Sequence, residues 1–197
     1  ALKFVLSRST VSQPIYPRSG SEFTVSVQLT PPYSLWDGKD YKSTALSEQE
    51  RYNWIEFHKW MLKGQWFTPL TRNGNLVLMA RAEMGYLGHY NKNKVSPFER
   101  FEVGGDGMTG YNMYGIDIIS MRGYDDGALD PVGSNYSCAY NKYTMELRYP
   151  LLLKGQTNIY VLGFLEGGNG FTSWKEFSPF KIKRSAGIGV RLFLPVV

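Results

Sequence analysis

The sequence predicts an all-β chain: a run of antiparallel strands from an up-and-down transmembrane β-barrel. Three observations predict it. Apolar and polar residues alternate with period two over several stretches, so each strand carries one apolar and one polar side. The connections between these stretches run short, long, short, long, short, long, which puts tight turns at one end and large loops at the other. Hydrophobic residues reach 43% while mean hydropathy stays at -0.30, so the apolar residues are dispersed. No stretch of about 18 apolar residues exists, which excludes a spanning helix but not a barrel.

Seven strands follow in order, about seven of a larger closed sheet. The first is read at residues 2 to 13; the chain opens on Ala1-Leu2-Lys3-Phe4 as if in mid-strand, which suggests a fragment. After the turn Pro17-Arg18-Ser19-Gly20, the second at 21 to 30 alternates most clearly, with Phe23, Val25, Val27 and Leu29 opposite Glu22, Thr24, Ser26 and Gln28. Residues 31 to 50 form a long connection. The third strand is placed at 51 to 68, the turn at Leu70-Thr71-Arg72-Asn73-Gly74, and the fourth strand at 75 to 88, with Leu78, Ala80, Ala82, Met84 and Tyr86 opposite Arg81 and Glu83. A connection of about fifty residues, 89 to 140, precedes the fifth strand at 141 to 152, where Met145, Leu147, Tyr149 and Leu151 oppose Thr144, Glu146 and Arg148. The turn Lys154-Gly155-Gln156 leads to the sixth strand at 157 to 168. Residues 169 to 180 lead to the seventh at 181 to 194, where Ile188, Val190, Leu192 and Leu194 oppose Gly187, Gly189, Arg191 and Phe193.

Alternation alone is shared with a soluble β-sandwich, which turns its charges to water. The strict rhythm of loop lengths favours the barrel over a Greek-key sandwich. Aromatic placement points the same way. Tyr16, Trp66, Phe67 and Tyr149 lie by the short turns, and Tyr33, Trp36, Tyr86, Tyr90, Tyr140, Phe171 and Trp174 by the long loops, as two interfacial girdles would.

Other classes are excluded on composition. The net charge is +5, but Lys and Arg are spread along the chain without the basic stripe of a nucleic-acid binder. Cys138 is the only cysteine and His58 and His89 the only histidines, so neither a disulfide nor a zinc cage can form. Asp125 and Asp126 are adjacent carboxylates that point apart, with no further ligands clustered by them, so no metal is expected. No nucleophile, base and orienter can be named, and neither enzyme activity nor a cofactor is expected.

The fifty-residue connection carries the functional signal. It is rich in aromatic and aliphatic residues, so it needs a surface to pack against, and the barrel lumen is the nearest one. It contains Pro97-Phe98-Glu99-Arg100-Phe101-Glu102-Val103-Gly104-Gly105, then Gly107-Met108-Thr109-Gly110-Tyr111-Asn112-Met113-Tyr114-Gly115, then Ile119-Ser120-Met121-Arg122-Gly123-Tyr124. The first and last of these resemble the BamA family, whose sixth extracellular loop carries Pro-Phe-Glu-x-Phe-x-x-Gly-Gly and then Val-Arg-Gly-Phe. Met121 and Tyr124 depart mildly from that pattern, while Arg122 and Gly123 match it; the long spacer is similar to that of relatives from the Bacteroidota. The likeness extends over essentially the whole chain, including Ser185-Ala186-Gly187-Ile188-Gly189.

The resemblance implies a sixteen-strand barrel in the bacterial outer membrane, whose two closing strands would follow this chain, with loop 89–140 folded back into the lumen. It implies that Arg122 pairs with Glu146 and Glu166 on the next two strands. Independently, Glu146 falls on the polar side of its strand beside Arg148, and a guanidinium fork could be held by two carboxylates at once, a geometry lysine lacks. Pro97, Phe98, Glu99, Phe101, Gly104 and Gly105 are the expected supports of the loop, with Gly104, Gly105 and Gly123 where positive φ or close approach is needed. The implied function is insertion and folding of outer-membrane barrel proteins, with unfolded barrel precursors, accessory lipoproteins, and outer-membrane lipid and lipopolysaccharide as partners. Open alternatives are a sibling transporter for two-partner secretion or autotransporter assembly, a passive porin, and a soluble β-sandwich.

Overall fold

The structure is a computed structural model and describes residues 1–42, 47–108, 115–133, 136–154 and 157–194. The tip Gly155-Gln156 of the third short turn, residues 109–114 of the glycine-rich spacer and the tail Pro195-Val196-Val197 lie outside the described residues.

Seven strands form one sheet: β1 (Leu2–Ser9), β2 (Gly20–Leu29), β3 (His58–Pro69), β4 (Val77–Gly88), β7 (Ala139–Lys154), β8 (Thr157–Phe171) and β9 (Lys183–Phe193). They lie in chain order, each antiparallel to the next, as hairpins must when every connection returns at the adjacent edge. The sheet is open, a partial up-and-down barrel. Two further short strands, β5 (Phe101–Val103) and β6 (Asp117–Ile119), pair in parallel inside the long connection.

Register fixes which side chains share a face. Phe4, Val27, Trp60 and Tyr86 stand in one row of partners, and Leu147, Gly163 and Ile188 in another. This outer face carries large apolar residues in the open, with Phe4 61% exposed, Leu165 59% and Ile188 91%. Lys59, Lys142, Glu146, Arg148 and Glu166 are instead buried on the opposite, inner face. A soluble sandwich would have the reverse arrangement; apolar outside and charged inside suits a wall between lipid and a polar lumen.

Two apolar clusters sandwich the buried charges on the inner face. Near the short turns, Tyr16, Phe67, Val77, Met79, Tyr160 and Leu162 pack together; near the long loops, Phe101, Val103, Ile119, Met121 and Leu129 of the connection pack on Phe57, Leu87 and Tyr140. Three aromatics expected in the interfacial girdles, Tyr16, Phe67 and Tyr140, are therefore interior, while Phe171, on the outward side of β8 with Leu165, is buried as well. Phe67 shares the strand side of Gln65, which faces inward to Arg81, and Tyr140 packs edge-on against Phe101 at 4.8 Å. Phe171 is covered by Phe177 of the following loop. Tyr16 folds in from the first turn, its hydroxyl facing the Asn75 carbonyl at 2.8 Å and that of Arg148 at 3.1 Å. Trp36, Trp66, Tyr149 and Trp174 do remain exposed. Tyr16→Phe keeps the packing and loses the hydroxyl, so it is expected to lower the denaturation free energy by about 0.5–1.5 kcal/mol, measured as a shifted denaturant midpoint.

The strand boundaries depart most from those the pattern gives at two places, while β7 and β8 run two to three residues further into the connections than expected, to Ala139 and Lys154 and to Phe171. Residues 51–57 are not strand: a one-turn helix, α1 (Glu48–Arg51), ends there, begun by a reciprocal cap in which the Ser47 hydroxyl accepts from the Glu50 amide and the Glu50 carboxylate accepts from the Ser47 amide. The first strand ends at Ser9, not residue 13; Thr10 and Ser12 still donate to Ser21 and Ser19, but Pro14 and Pro17 have no amide hydrogen to continue the ladder.

Candidate functional site

The long connection lies on the inner face as a unit with its own backbone pairing. Phe101–Val103 and Asp117–Ile119 run side by side, the Gly104 amide donates to the Ile119 carbonyl, the Met121 amide to Gly105 and the Gly105 amide to Tyr124. The two motif segments are thereby joined edge to edge. Gly104 is at φ +136 and an added Cβ would come within 2.3 Å of the Asp125 carbonyl oxygen, so no other residue fits there without displacing backbone. Gly105 and Gly123 also have positive φ, at +73 and +84.

This unit docks by apolar contact. Phe101 and Met121 are fully buried in the upper cluster, each contributing about 1.5–3 kcal/mol relative to exposure. Phe101 and Ser137 exchange backbone hydrogen bonds, and Tyr124 donates its hydroxyl to the Arg184 carbonyl on β9 at 2.8 Å. Of the remaining expected supports, Pro97 is exposed, Phe98 is half-buried, and Glu99 reaches Lys59 on β3.

Below Met121 the chain turns Arg122 into the charged layer. One terminal guanidinium nitrogen, Nη2, lies 2.8 Å from Glu146 Oε1 and 2.7 Å from Glu166 Oε1, and the Arg122 amide donates to Glu166 Oε2 at 2.9 Å. The guanidinium carbon sits 3.7 Å from the centroid of the Phe164 ring, a stacked cation–π contact. The fork expected to grip two carboxylates is thus not used as a fork: one nitrogen bridges both. What distinguishes arginine here is its plane, which covers Phe164 while its edge meets the acids.

The layer holds more positive charge than one arginine between two acids. Glu146 also accepts from Arg148 through Nε at 2.8 Å and Nη2 at 2.6 Å, and from Arg191 Nη2 at 3.2 Å. Lys142 lies 3.8 Å from Glu166 and donates to the Ser120 carbonyl. Four cations (Arg122, Lys142, Arg148 and Arg191) therefore meet two carboxylates, where the sequence analysis paired one arginine with two acids. Arg191 and Lys142 are additional partners, legible in the sequence only as residues on the polar sides of β9 and β7, the strands on either side of β8.

A second polar junction closes the loop's outer end. Asp130 Oδ1 accepts from the Val103 amide and the Ser137 hydroxyl, while the Leu129 amide donates to the Val103 carbonyl at 3.0 Å. Burial pushes the Asp130 carboxyl from its ordinary 3.8 up to about 6, with the Ser137 and Val103 hydrogen bonds pulling partly back and Glu102 pushing further up. Between those two values the folded state holds a proton that the unfolded state has released, so this contribution to stability is fully present at lower pH and is lost as pH rises to about 6. Exchange of the Leu129 amide, corrected for intrinsic chemistry, is expected to be more protected at about pH 5 than at about pH 7.5. Asp130→Asn should abolish the difference; an unchanged pH profile in that variant would refute the assignment.

A family model described as the Omp85 superfamily domain matches residues 1–197. No curated protein matches the chain. Among solved structures, the chain is similar to the crystal structure of BamA from Haemophilus ducreyi lacking POTRA domains 1–3, with a TM-score of 0.66 at 17% identity, over 95% of this chain and 35% of that one. The chain thus spans about a third of the length of that structure, and at this identity the likeness concerns the fold. With the domain matched along its whole length, this chain belongs to the Omp85 superfamily.

Proposed function

We propose that this chain is the loop-bearing wall of an outer-membrane assembly factor, which inserts and folds β-barrel proteins into the bacterial outer membrane. Membership of the superfamily and the BamA-like fold give an outer-membrane assembly or transport role. The observation that carries the finer reading is the Arg122 bridge to Glu146 and Glu166, which holds a long extracellular loop against the lumen wall. A lumen filled in this way does not suit a passive porin. Partners in this reading are unfolded barrel precursors arriving from the periplasm, accessory lipoproteins of a BAM-type complex, and the lipid and lipopolysaccharide around the barrel.

The work is physical and needs no covalent chemistry. A barrel can offer an incoming strand a backbone edge and a locally thinned bilayer, so that the client pairs its amides as it leaves water. The loop-bearing wall keeps the barrel in the shape that presents this edge. In the test, the full-length protein is reconstituted in lipid vesicles and challenged with a urea-unfolded client barrel. Insertion several times faster than in empty vesicles is expected. No acceleration, together with failed export of a single secreted protein in depleted cells, would overturn the reading in favour of a sibling transporter.

A further inference from the structure

We propose that Lys59 on β3 is a second lock on the loop, holding Glu99 and Asp117 on the side of the wall away from the Arg122 bridge. It rests on the loop lying against the inner face, and not on what the barrel does.

Lys59 is 3% exposed and its ammonium lies 3.2 Å from Glu99 Oε2 and 2.6 Å from Asp117 Oδ2. The same ammonium stands 5.0 Å from the centroid of the Phe101 ring. These groups sit at one place on the loop: Glu99 just precedes β5, Asp117 opens β6, and Asp117 is the register partner of Phe101. Lys59 therefore closes the mouth of the parallel ladder, meeting one carboxylate from each segment. Without the ammonium, the two acids would face one another beside the wall; without the acids, a charge would be buried unpaired.

The local backbone is shaped for this contact. Glu99 is the one non-glycine residue at positive φ among the described residues, at +62. Gly115 passes so close that an added Cβ would fall 2.5 Å from Glu99 Oε1. A strained residue beside an obligatory glycine persists where surrounding contacts hold it, and here they present a carboxylate to Lys59.

Placement gives the lock its role. The Arg122 contacts lie on β7 and β8, and Lys59 lies on β3, two strands before β7 in the sheet order. Tyr124 adds a tie to β9. The loop is thus fixed at both flanks and braces the inner wall from β3 to β9, so that a change in curvature on one flank is felt at the other. Lys59 acts through the loop as a positioning residue.

The test reads loop position rather than assembly. Ile116 is 8% exposed and adjoins Asp117. Ile116→Cys, in a Cys138→Ser background, is labelled with a membrane-impermeant maleimide on the full-length protein in outer membranes. Lys59→Met is expected to raise the labelling rate about tenfold or more, since labelling follows the population of the opened loop. The pair Glu99→Gln with Asp117→Asn should do the same, all three together should be no faster than either, and Lys59→Arg should stay slow. Rates that multiply would mean three independent structural losses, and a wild-type rate in Lys59→Met would remove the lock. Should Lys59→Met fail to fold, the carboxamide pair alone decides the matter by the same rate. Because no client is involved, these outcomes are independent of whether the protein is an assembly factor.

Discussion

Glu146→Ala is expected to destabilise the barrel by about 3–5 kcal/mol, read as a lower denaturant midpoint of the full-length protein in lipid vesicles. The carboxylate is 2% exposed and is the shared acceptor of Arg122, Arg148 and Arg191. Arg148 itself is walled by aromatic rings, its guanidinium 5.5 Å from Phe67 and 5.8 Å from Tyr160, so it cannot turn to water when its partner is lost. Removing Glu146 leaves three guanidiniums in one layer with Glu166 as the nearest remaining acid, and the penalty is that of stranded buried charge rather than of a lost hydrogen bond. Glu146→Gln keeps the volume and two polar groups but loses the charge, so it should fall between the wild type and the alanine variant. A glutamine variant as stable as the wild type would show that shape, and not charge, holds this layer together.

Much of this layer was legible because strand alternation is a local property. The side chains of Thr144, Glu146 and Arg148 are bound to share a face once the strand is recognised, and a run of hairpins forces the strand order. The aromatics show what happens when distance along a strand is used instead of parity. Phe67 lies near a turn, as a girdle residue would, but its parity with Gln65 already turned it inward. Tyr140 and Phe171 are buried by loops laid over them, which no periodicity encodes. The cap between Ser47 and Glu50 starts a short helix, whereas the apolar residues that follow resemble a strand, so the sequence pattern sets that strand's boundary too early. Lys59 lies within the predicted strand, but the consecutive apolar residues Trp60, Met61 and Leu62 leave its side illegible from alternation. Its pairing with Glu99 and Asp117 depends on the path of a fifty-residue loop, and long-range contacts of that kind are set by packing of the whole unit.

Arg122→Ala is expected to free the loop and lower the level of assembled outer-membrane barrels in cells, with a smaller loss of stability than Glu146→Ala, about 1.5–3 kcal/mol. The difference follows from what each change strands. Glu146 keeps Arg148 and Arg191 when the Arg122 side chain is gone, whereas Glu166 loses its closest cation and keeps Lys142 at 3.8 Å, the Thr144 hydroxyl at 3.3 Å and, while the loop stays docked, the backbone amide of residue 122. Glu166 is therefore the group left wanting, and Glu166→Gln in the Arg122→Ala background should restore part of the stability while leaving the loop free and assembly low. Arg122→Lys separates charge from plane. An ammonium can reach the two acids that one guanidinium nitrogen now bridges, but it cannot cover the Phe164 ring, so stability should be largely retained while the loop is held less firmly. Measured together, stability and assembly should part company across the three variants: if assembly tracked stability alone, Arg122→Ala with Glu166→Gln would recover both, and the loop would be a structural filler rather than a keeper of the working shape.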